Sequence, residues 1–382
     1  MVSADWLPTQ FKRRRALEDR LAAVFEGAGY LGIDVPIVEP AELYLRKFGG
    51  QALARIVTFT DGTGRRFSVR PEFTASVVRI LTERLPGLPI RWYYSGPVLR
   101  LGPDGRAAQF HQAGVELIGV SEPEGDAEVL GLTGQALAEV GVLGFELKLN
   151  HLGIILGLLD RLGLSEPLST LVIAGLNEVT AGNLPPELRR YLEELTETEE
   201  SDGLRDLLAA VGPDGARRLV LSVLKNIAAP GRTGRRDLEA IADRLVRRLH
   251  LADELAALET AIEFARRLQP LRGPATEVLP AARNLLAEYG LEPGPLDRLW
   301  ELTVRLGPVL ADRGRVVLDL GFGRGLGYYS GLIFEAVLPG TPEVQLGGGG
   351  RYDGLIAELG GPPVPAIGFS LTLEHLISVS GP

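Results

Sequence analysis

Residues 91–120 read RWYYSGPVLRLGPDGRAAQFHQAGVELIGV: two strand-like runs, RWYYSGPVLRL and HQAGVELIGV, joined by GPDGRAAQF. Aromatic and β-branched residues suit a pleated, half-buried surface, whereas the Gly, Pro and Asp of the connection favour reversal of the chain. Upstream, ARIVTFTDGTGRRFSVRPEFT (54–74) predicts a hairpin, two short strands around Asp-Gly and Thr-Gly. Before it, GIDVPIVEP (32–40) alternates as a strand does but contains Pro36, which has no ladder donor, so an edge, a bulge or a subunit boundary is expected there. Residues 9–28, TQFKRRRALEDRLAAVFEGA, place Leu17, Leu21, Val24 and Phe25 on one face and predict an amphipathic helix ended by Gly29.

Downstream, GDAEVLGLTGQALAEVGV (125–142) predicts a helix and FELKLNH (145–151) a further strand. From about 152 to 310 helical periodicity dominates, as in LRDLLAAVGPDGARRLVLSVL (204–224) and DLEAIADRLVRRLHLADELAALETAIEFARRL (237–268). Strand signals return at RVVLDL (315–320), YYSGLIFEAVL (328–338) and EVQLGGGGR (343–351), before a closing helix over SLTLEHLISV (370–379). The pattern is that of an α+β chain. Residues 1–151 and 312–382 are expected to build one antiparallel sheet flanked by helices, interrupted by a mainly helical insertion over 152–311.

Composition narrows the function classes. The 382 residues are 45% hydrophobic, yet even the apolar LGIILGLLDRLGL (152–164) is broken by Asp160 and Arg161, so no membrane span is expected. The N-terminal MVSADWLPTQFKRRRALEDR carries charge where a secretion signal needs an apolar segment, which predicts a soluble cytoplasmic protein. Without cysteine there are no disulfides, thiolate metal sites or cysteine nucleophiles. Histidines 111, 151, 250 and 375 sit at no ligand spacing, so no metal centre is expected. The net charge of −9 supplies no basic stripe for a long nucleic acid. The four glycines of LGGGGRYDGL (346–355) let a backbone approach something closely, and the question they raise is what approaches.

Five pieces in order, RPEFTASVVR (70–79), GPVLRL (96–101), QFHQAGVELIG (109–119), RGLGYYSGLIFE (324–335), and GGGGRYDGL (347–355) with PAIGFSLTLEHL (365–376), resemble the core of histidyl-tRNA synthetase, a class II aminoacyl-tRNA synthetase. The likeness extends over most of residues 9–165 and 312–376. It implies dimerisation through the first long helix and the proline-containing strand, and it implies a histidine pocket. By this resemblance Glu72 and Thr74 face the amino group of the ligand, Gln112 and Glu116 line the amino acid and its imidazole, Arg324 lies near the carboxylate, and Tyr328 and Tyr329 enclose the ring. Arg100, counted with the same pocket, matches the arginine that in the family meets the α-phosphate of ATP. The residue types suit a small zwitterion, because carboxylates accept from an ammonium, an arginine grips a carboxylate and tyrosines give apolar walls with polar tips. Each charge-assisted contact is worth ~1.5–3 kcal/mol. Singly, each residue has a plainer reading, a solvated or ion-paired charge or a packed ring; it is the ordered set that favours a pocket. His111 and His151 are assigned structural roles, and neither a catalytic residue nor a cofactor is assigned.

The chain departs from the family pattern on the nucleotide and tRNA side. Where the last helix of the family carries Gly-Leu-Glu-Arg, this chain has Thr372-Leu373-Glu374-His375, and an imidazole cannot reproduce a permanently charged planar fork. Gly102 and Gly327 stand where the family has acidic residues. The few residues after His375 are too short for the family's anticodon-binding domain, so tRNA is not an expected partner. Such a core resembles the regulatory subunit of ATP phosphoribosyltransferase. This implies a non-catalytic chain that forms a dimer within a hetero-octamer with the short catalytic subunit. It would be required for the first step of histidine biosynthesis and would mediate feedback inhibition by histidine. The alternatives are a truncated or divergent histidyl-tRNA synthetase that still forms histidyl-adenylate, and a synthetase-like module for RNA or a translation factor. LGGGGRYDGL is then expected to be an inherited backbone surface beside the amino-acid pocket and the former ATP site, its glycines serving close packing as much as any ligand, and not to cradle a triphosphate.

Overall fold

The computed structural model describes residues 5–45, 55–193 and 251–380, except 85, 103–104, 182, 187, 191–192, 326 and 341–342, together with 218, 221 and 222. Apart from those last three, which are helical, the helices expected over 204–224 and 237–250 lie outside the described residues. Helix α1 (Pro8–Gly27) begins on a proline, whose missing N–H has no partner in a first turn anyway, and buries Leu17, Leu21, Val24 and Phe25 as its spacing predicts. Gly29, at φ 83°, takes the chain out of it.

There follow β1 (Leu31–Gly32), β2 (Val38–Pro40), β3 (Thr58–Thr60), β4 (Arg66–Val69), α2 (Thr74–Arg84), β5 (Ile90–Leu101), β6 (Ala107–Ile118), α3 (Glu124–Glu139) and β7 (Phe145–His151). The next helices are α4 (Gly153–Leu162), α5 (Glu166–Ala174), α6 (Leu176–Thr180), α7 (Leu251–Leu268), α8 (Ala275–Glu288) and α9 (Gly294–Leu310), with β8 (Arg272–Gly273) between α7 and α8. Strands β9 (Gly314–Asp319), β10 (Leu332–Leu338), β11 (Val344–Arg351) and β12 (Ala366–Thr372) lead to the last helix, α10 (Leu373–Val379).

Among the described residues nine strands form one sheet in the order β1-β5-β6-β12-β11-β10-β7-β9-β8, and β2-β4-β3 form a second. The two ends of the chain meet in the middle of the large sheet, where β6 pairs with β12. From β5 to β7 every neighbour is antiparallel, but β1 lies parallel to β5 and β7 parallel to β9, so the sheet is mixed rather than wholly antiparallel.

Three local expectations are corrected. GIDVPIVEP is not one strand: residues around Pro36 pair with nothing in a ladder, and the flanks join edges of two different sheets. The connection between β5 and β6 is shorter than GPDGRAAQF, because Ala107–Phe110 already pair with Val98–Leu101. SLTLEHLISV is helical only from Leu373, since Ser370–Thr372 end β12, whose Ile367, Phe369 and Leu371 alternate into the core.

That core lies on one face of the large sheet. It unites Val115, Leu147 and Phe334 from the strands with Leu21 of α1, Leu158 of α4, Phe264 of α7 and Leu299 of α9. Each such buried side chain contributes ~1.5–3 kcal/mol. On the opposite face a smaller cluster, with Phe73, Val77, Tyr94, Val98 and Tyr352, packs under α2. No helix among the described residues is long and apolar enough to cross a membrane.

Candidate functional site

Strand alternation decides which side chains can meet. In β6, Ala113, Val115 and Leu117 enter the large core, so Gln112, Gly114 and Glu116 face the other way. Register then sets Gln112 beside Gly96 and Thr372, and Glu116 beside Trp92 and Gly368. This face is the floor of a cavity of about 420 Å³. Its walls come from the turn into α2, the loop between β9 and β10, the glycine strand β11, and α5 and α6.

Seven of the eight residues marked in the sequence, Glu72, Thr74, Arg100, Gln112, Arg324, Tyr328 and Tyr329, line this cavity. Glu116 does not. It is 1% exposed and sits behind the wall, its oxygens taken up by three hydroxyls: Thr74 at 2.8 Å and Tyr94 at 3.2 Å donate to Oε1, and Tyr352 at 2.5 Å donates to Oε2. Burial pushes the Glu116 carboxyl up to about 8; the hydroxyl donors work against that rise and the nearby Glu72 adds to it. Gly368 is what makes room for this carboxylate, because a Cβ there would overlap Glu116 and meet the Val115 carbonyl at 2.7 Å.

Glu72 accepts from the backbone N–H of Ala75 at 3.0 Å through Oε1, while its buried Oε2 makes no hydrogen bond. Desolvation raises its pKa as well. Arg324 donates from Nη1 to the Phe334 carbonyl at 3.0 Å and lies 3.7 Å from Glu335, yet its buried Nε makes no hydrogen bond either. Tyr328 and Tyr329 stand 4.9 Å apart at 55°, and burial raises both phenols, which keeps them neutral donors. Gln112 donates to the Ser370 hydroxyl at 3.1 Å. Arg100 donates from Nε to the Pro71 carbonyl at 2.8 Å and lies 5.1 Å over the Phe110 ring.

The glycine run answers its own question: what approaches it is the pocket's own arginine, for a Cβ on Gly348 would overlap the Arg324 guanidinium.

Sequence reading missed several members of the site. Arg70, 2% exposed, pins the turn carrying Glu72 by donating to Val35 and Pro97 carbonyls at 2.7 and 2.9 Å, and its guanidinium lies 3.8 Å over Phe73. Phe73 in turn stacks on Tyr94 at 4.1 Å. Tyr352, inside the quoted glycine motif, reaches Glu116 from 236 residues away, a relation only strand register reveals. Ala174, Asn177 and Glu178 bring the helical segment to the cavity, where no residue signal had pointed.

His111, His151 and His375 stay outside the cavity. The backbone N–H of His111 donates to Glu374 at 3.0 Å, its Nδ1 lies 3.1 Å from the same carboxylate, and its Nε2 meets Arg14. Nδ1 of His151 accepts from the N–H of Gly153 at 3.1 Å. His375 is turned to the surface with Nδ1 2.5 Å from the Gln345 carbonyl, and it is not part of the cavity wall.

Chemically, the cavity offers an unpaired carboxylate oxygen and an unpaired guanidinium N–H, with neutral hydroxyls and aromatic faces between. The family model described as histidyl-tRNA synthetase matches residues 3–243 and 215–376. The histidine–tRNA ligase of Methanocaldococcus jannaschii is 30% identical over 377 residues, covering 98% of this chain and 73% of the relative. That of Thermococcus kodakarensis is 30% identical over 386 residues, covering 98% and 72%. A histidine–tRNA ligase subunit from Alicyclobacillus acidocaldarius superposes with a TM-score of 0.57 at 29% identity, covering 98% of this chain and 95% of that one. The crystal structure of an ATP phosphoribosyltransferase regulatory subunit/histidyl-tRNA synthetase from Bacillus halodurans gives a TM-score of 0.68 at 22% identity, covering 99% and 82%.

Proposed function

Because this chain belongs to the histidyl-tRNA synthetase family, we propose that its cavity binds free histidine and that the protein serves as a non-catalytic regulatory subunit of ATP phosphoribosyltransferase. The observation that carries the histidine reading is the pair of orphaned buried atoms that belong to cavity-lining residues. Glu72 Oε2 and Arg324 Nε bear opposite charge, line one cavity and lack partners, which is the complement of an α-amino acid's ammonium and carboxylate. Thr74 adds a hydroxyl near the ammonium, Gln112 an amide, and Tyr328 and Tyr329 a wall for the imidazole. Glu116 acts from behind, holding the hydroxyls of Thr74, Tyr94 and Tyr352 in place.

The regulatory reading is supported by what stands at the position of the family's second arginine. Adenylate formation needs preorganised cations where charge develops as pyrophosphate leaves. At the position of the family's second arginine stands His375, bound to a backbone carbonyl outside the cavity. The likeness to the Bacillus halodurans structure is one of fold, and the residues bear the argument. On this reading histidine binds the assembly's less active state more tightly and shifts it that way; catalytic-site ligands that favour the active state then weaken histidine binding reciprocally.

A second reading, formation of histidyl-adenylate, is favoured by Arg55 and Arg100, which both line the cavity, and by the ligase relatives. One experiment separates the two. Phosphoribosyl-ATP formation by the short catalytic subunit is measured with and without this protein across a histidine titration, alongside histidine-dependent pyrophosphate exchange. Activity that needs this chain and is suppressed by histidine, with no exchange, is the expected result. Exchange, with no effect on the catalytic subunit at any ratio, overturns the regulatory reading.

A further inference from the structure

We infer that Asn177, on α6 of the helical segment, is a positioning residue for Arg324 and hence a determinant of selectivity for ligands that carry a carboxylate; this rests on the histidine-pocket reading above. The amide of Asn177 grips both backbone groups of the residue just before Arg324. Its Nδ2 donates to the Gly323 carbonyl at 2.9 Å, and its Oδ1 accepts from the Gly323 N–H at 2.6 Å. That carbonyl shares a peptide plane with the Arg324 N–H, so the clamp sets the plane from which the arginine departs.

The local sequence makes such a clamp necessary. Arg324 is flanked by Gly323 and Gly325, the latter at φ 65°, and two glycines impose little restraint of their own. Gly323 also lets α6 seat closely, since a Cβ there would meet the Cβ of Leu176 at 2.9 Å. The clamp's own base is firm. Leu176 and Val179 on either side of Asn177 are buried in the large core, and the Thr180 hydroxyl donates to the Asn177 carbonyl at 3.0 Å. At its far end Arg324 is held by the Phe334 carbonyl and Glu335, so base and tip are both fixed, while its buried Nε makes no hydrogen bond. Ala174, Asn177 and Glu178 line the same cavity, so the helical segment joins the site through this contact.

The consequence is selective. Loosening Asn177 weakens the grip on a carboxylate and leaves the ammonium and imidazole contacts on the sheet side unchanged. The test is calorimetric binding of L-histidine and of L-histidinol, which has a hydroxymethyl group in place of the carboxylate, to the full chain as wild type, Asn177→Ala, Asn177→Ser and Arg324→Met. Two lost hydrogen bonds predict roughly ten-fold weaker histidine binding for Asn177→Ala, a smaller loss for Asn177→Ser, and histidinol affinity within about two-fold of wild type. Adding Asn177→Ala to Arg324→Met is expected to change histidine affinity no further. Equal losses for both ligands, or undiminished histidine binding, overturn the inference. Absence of histidine binding by the wild type overturns the pocket reading itself, and that outcome is recognised before any substitution is made. Should Asn177→Ala fail to fold, the Asn177→Ser comparison of the two ligands decides the matter.

Discussion

Glu116→Gln tests the electrostatic reading of the site most directly. The Glu116 carboxyl is fully enclosed and pushed from 4.5 up to about 8 by burial. In the unfolded chain it titrates near its ordinary value. Between these two limits the folded protein holds a proton that the unfolded chain has lost, so stability is greatest at low pH in this window and falls as pH rises toward 8. The full slope is ~1.36 kcal/mol per pH unit, so between pH 6 and pH 9 this one group removes stability on the order of 1–3 kcal/mol. Facing it are the hydroxyls of Thr74, Tyr94 and Tyr352 and the carboxyl of Glu72, whose own pKa is raised by burial and contributes in the same direction. Glutamine keeps the shape and an oxygen for Thr74 and Tyr94 but cannot ionise. Urea unfolding of wild type and Glu116→Gln at pH 6, 7, 8 and 9 is the assay. The wild-type profile should fall more steeply, and the gap between the two should widen by on the order of 1–3 kcal/mol across the range. Parallel profiles would show that Glu116 is ionised in the empty fold and would refute the reasoning.

Two further substitutions probe the frame around the site. Asp126→Ala removes the buried carboxylate to which Arg351, 2% exposed, donates from Nε at 2.9 Å and Nη2 at 2.5 Å, and leaves it only the exposed Asp353 at 3.1 Å and the Val120 carbonyl; since a fully orphaned buried cation costs about 3–5 kcal/mol, a loss of about 2–4 kcal/mol is expected. A denaturant midpoint unchanged from wild type would show that the pair adds nothing. Gly368→Ala places a methyl against the Val115 carbonyl and the Glu116 carboxylate; about 1–3 kcal/mol of stability should be lost, read by thermal melting, together with weaker histidine binding by calorimetry. Wild-type values in both assays would mean that β6 and β12 have room to part.

Local physics made a good part of this protein legible from its sequence. The spacing of Leu17, Leu21, Val24 and Phe25 identified the buried face of α1, and the turn residues of 54–74 marked the β3–β4 hairpin, because helix period and turn sterics act over a few residues. The family likeness marked seven residues that do line one cavity. What lay beyond the sequence was every relation set by distant pairing. The leucines at 371, 373 and 376 imitate a helical face, and only the seat between β6 and β11 makes Ala366–Thr372 a strand. Pairing of β6 with β12 puts Glu116 behind three hydroxyls instead of in the cavity, since Gly368 leaves it a place there and Tyr352 arrives from just past the end of β11. Asn177 gave no signal, because an asparagine in a short helix means little until Gly323, 146 residues away, is folded against it. The sequence by itself determined most of the elements and the chemical types of the residues that line the cavity. The tertiary structure decided which charged atoms of the cavity residues make no hydrogen bond, Glu72 Oε2 and Arg324 Nε, because burial and partners are properties of the assembled fold rather than of any stretch of chain.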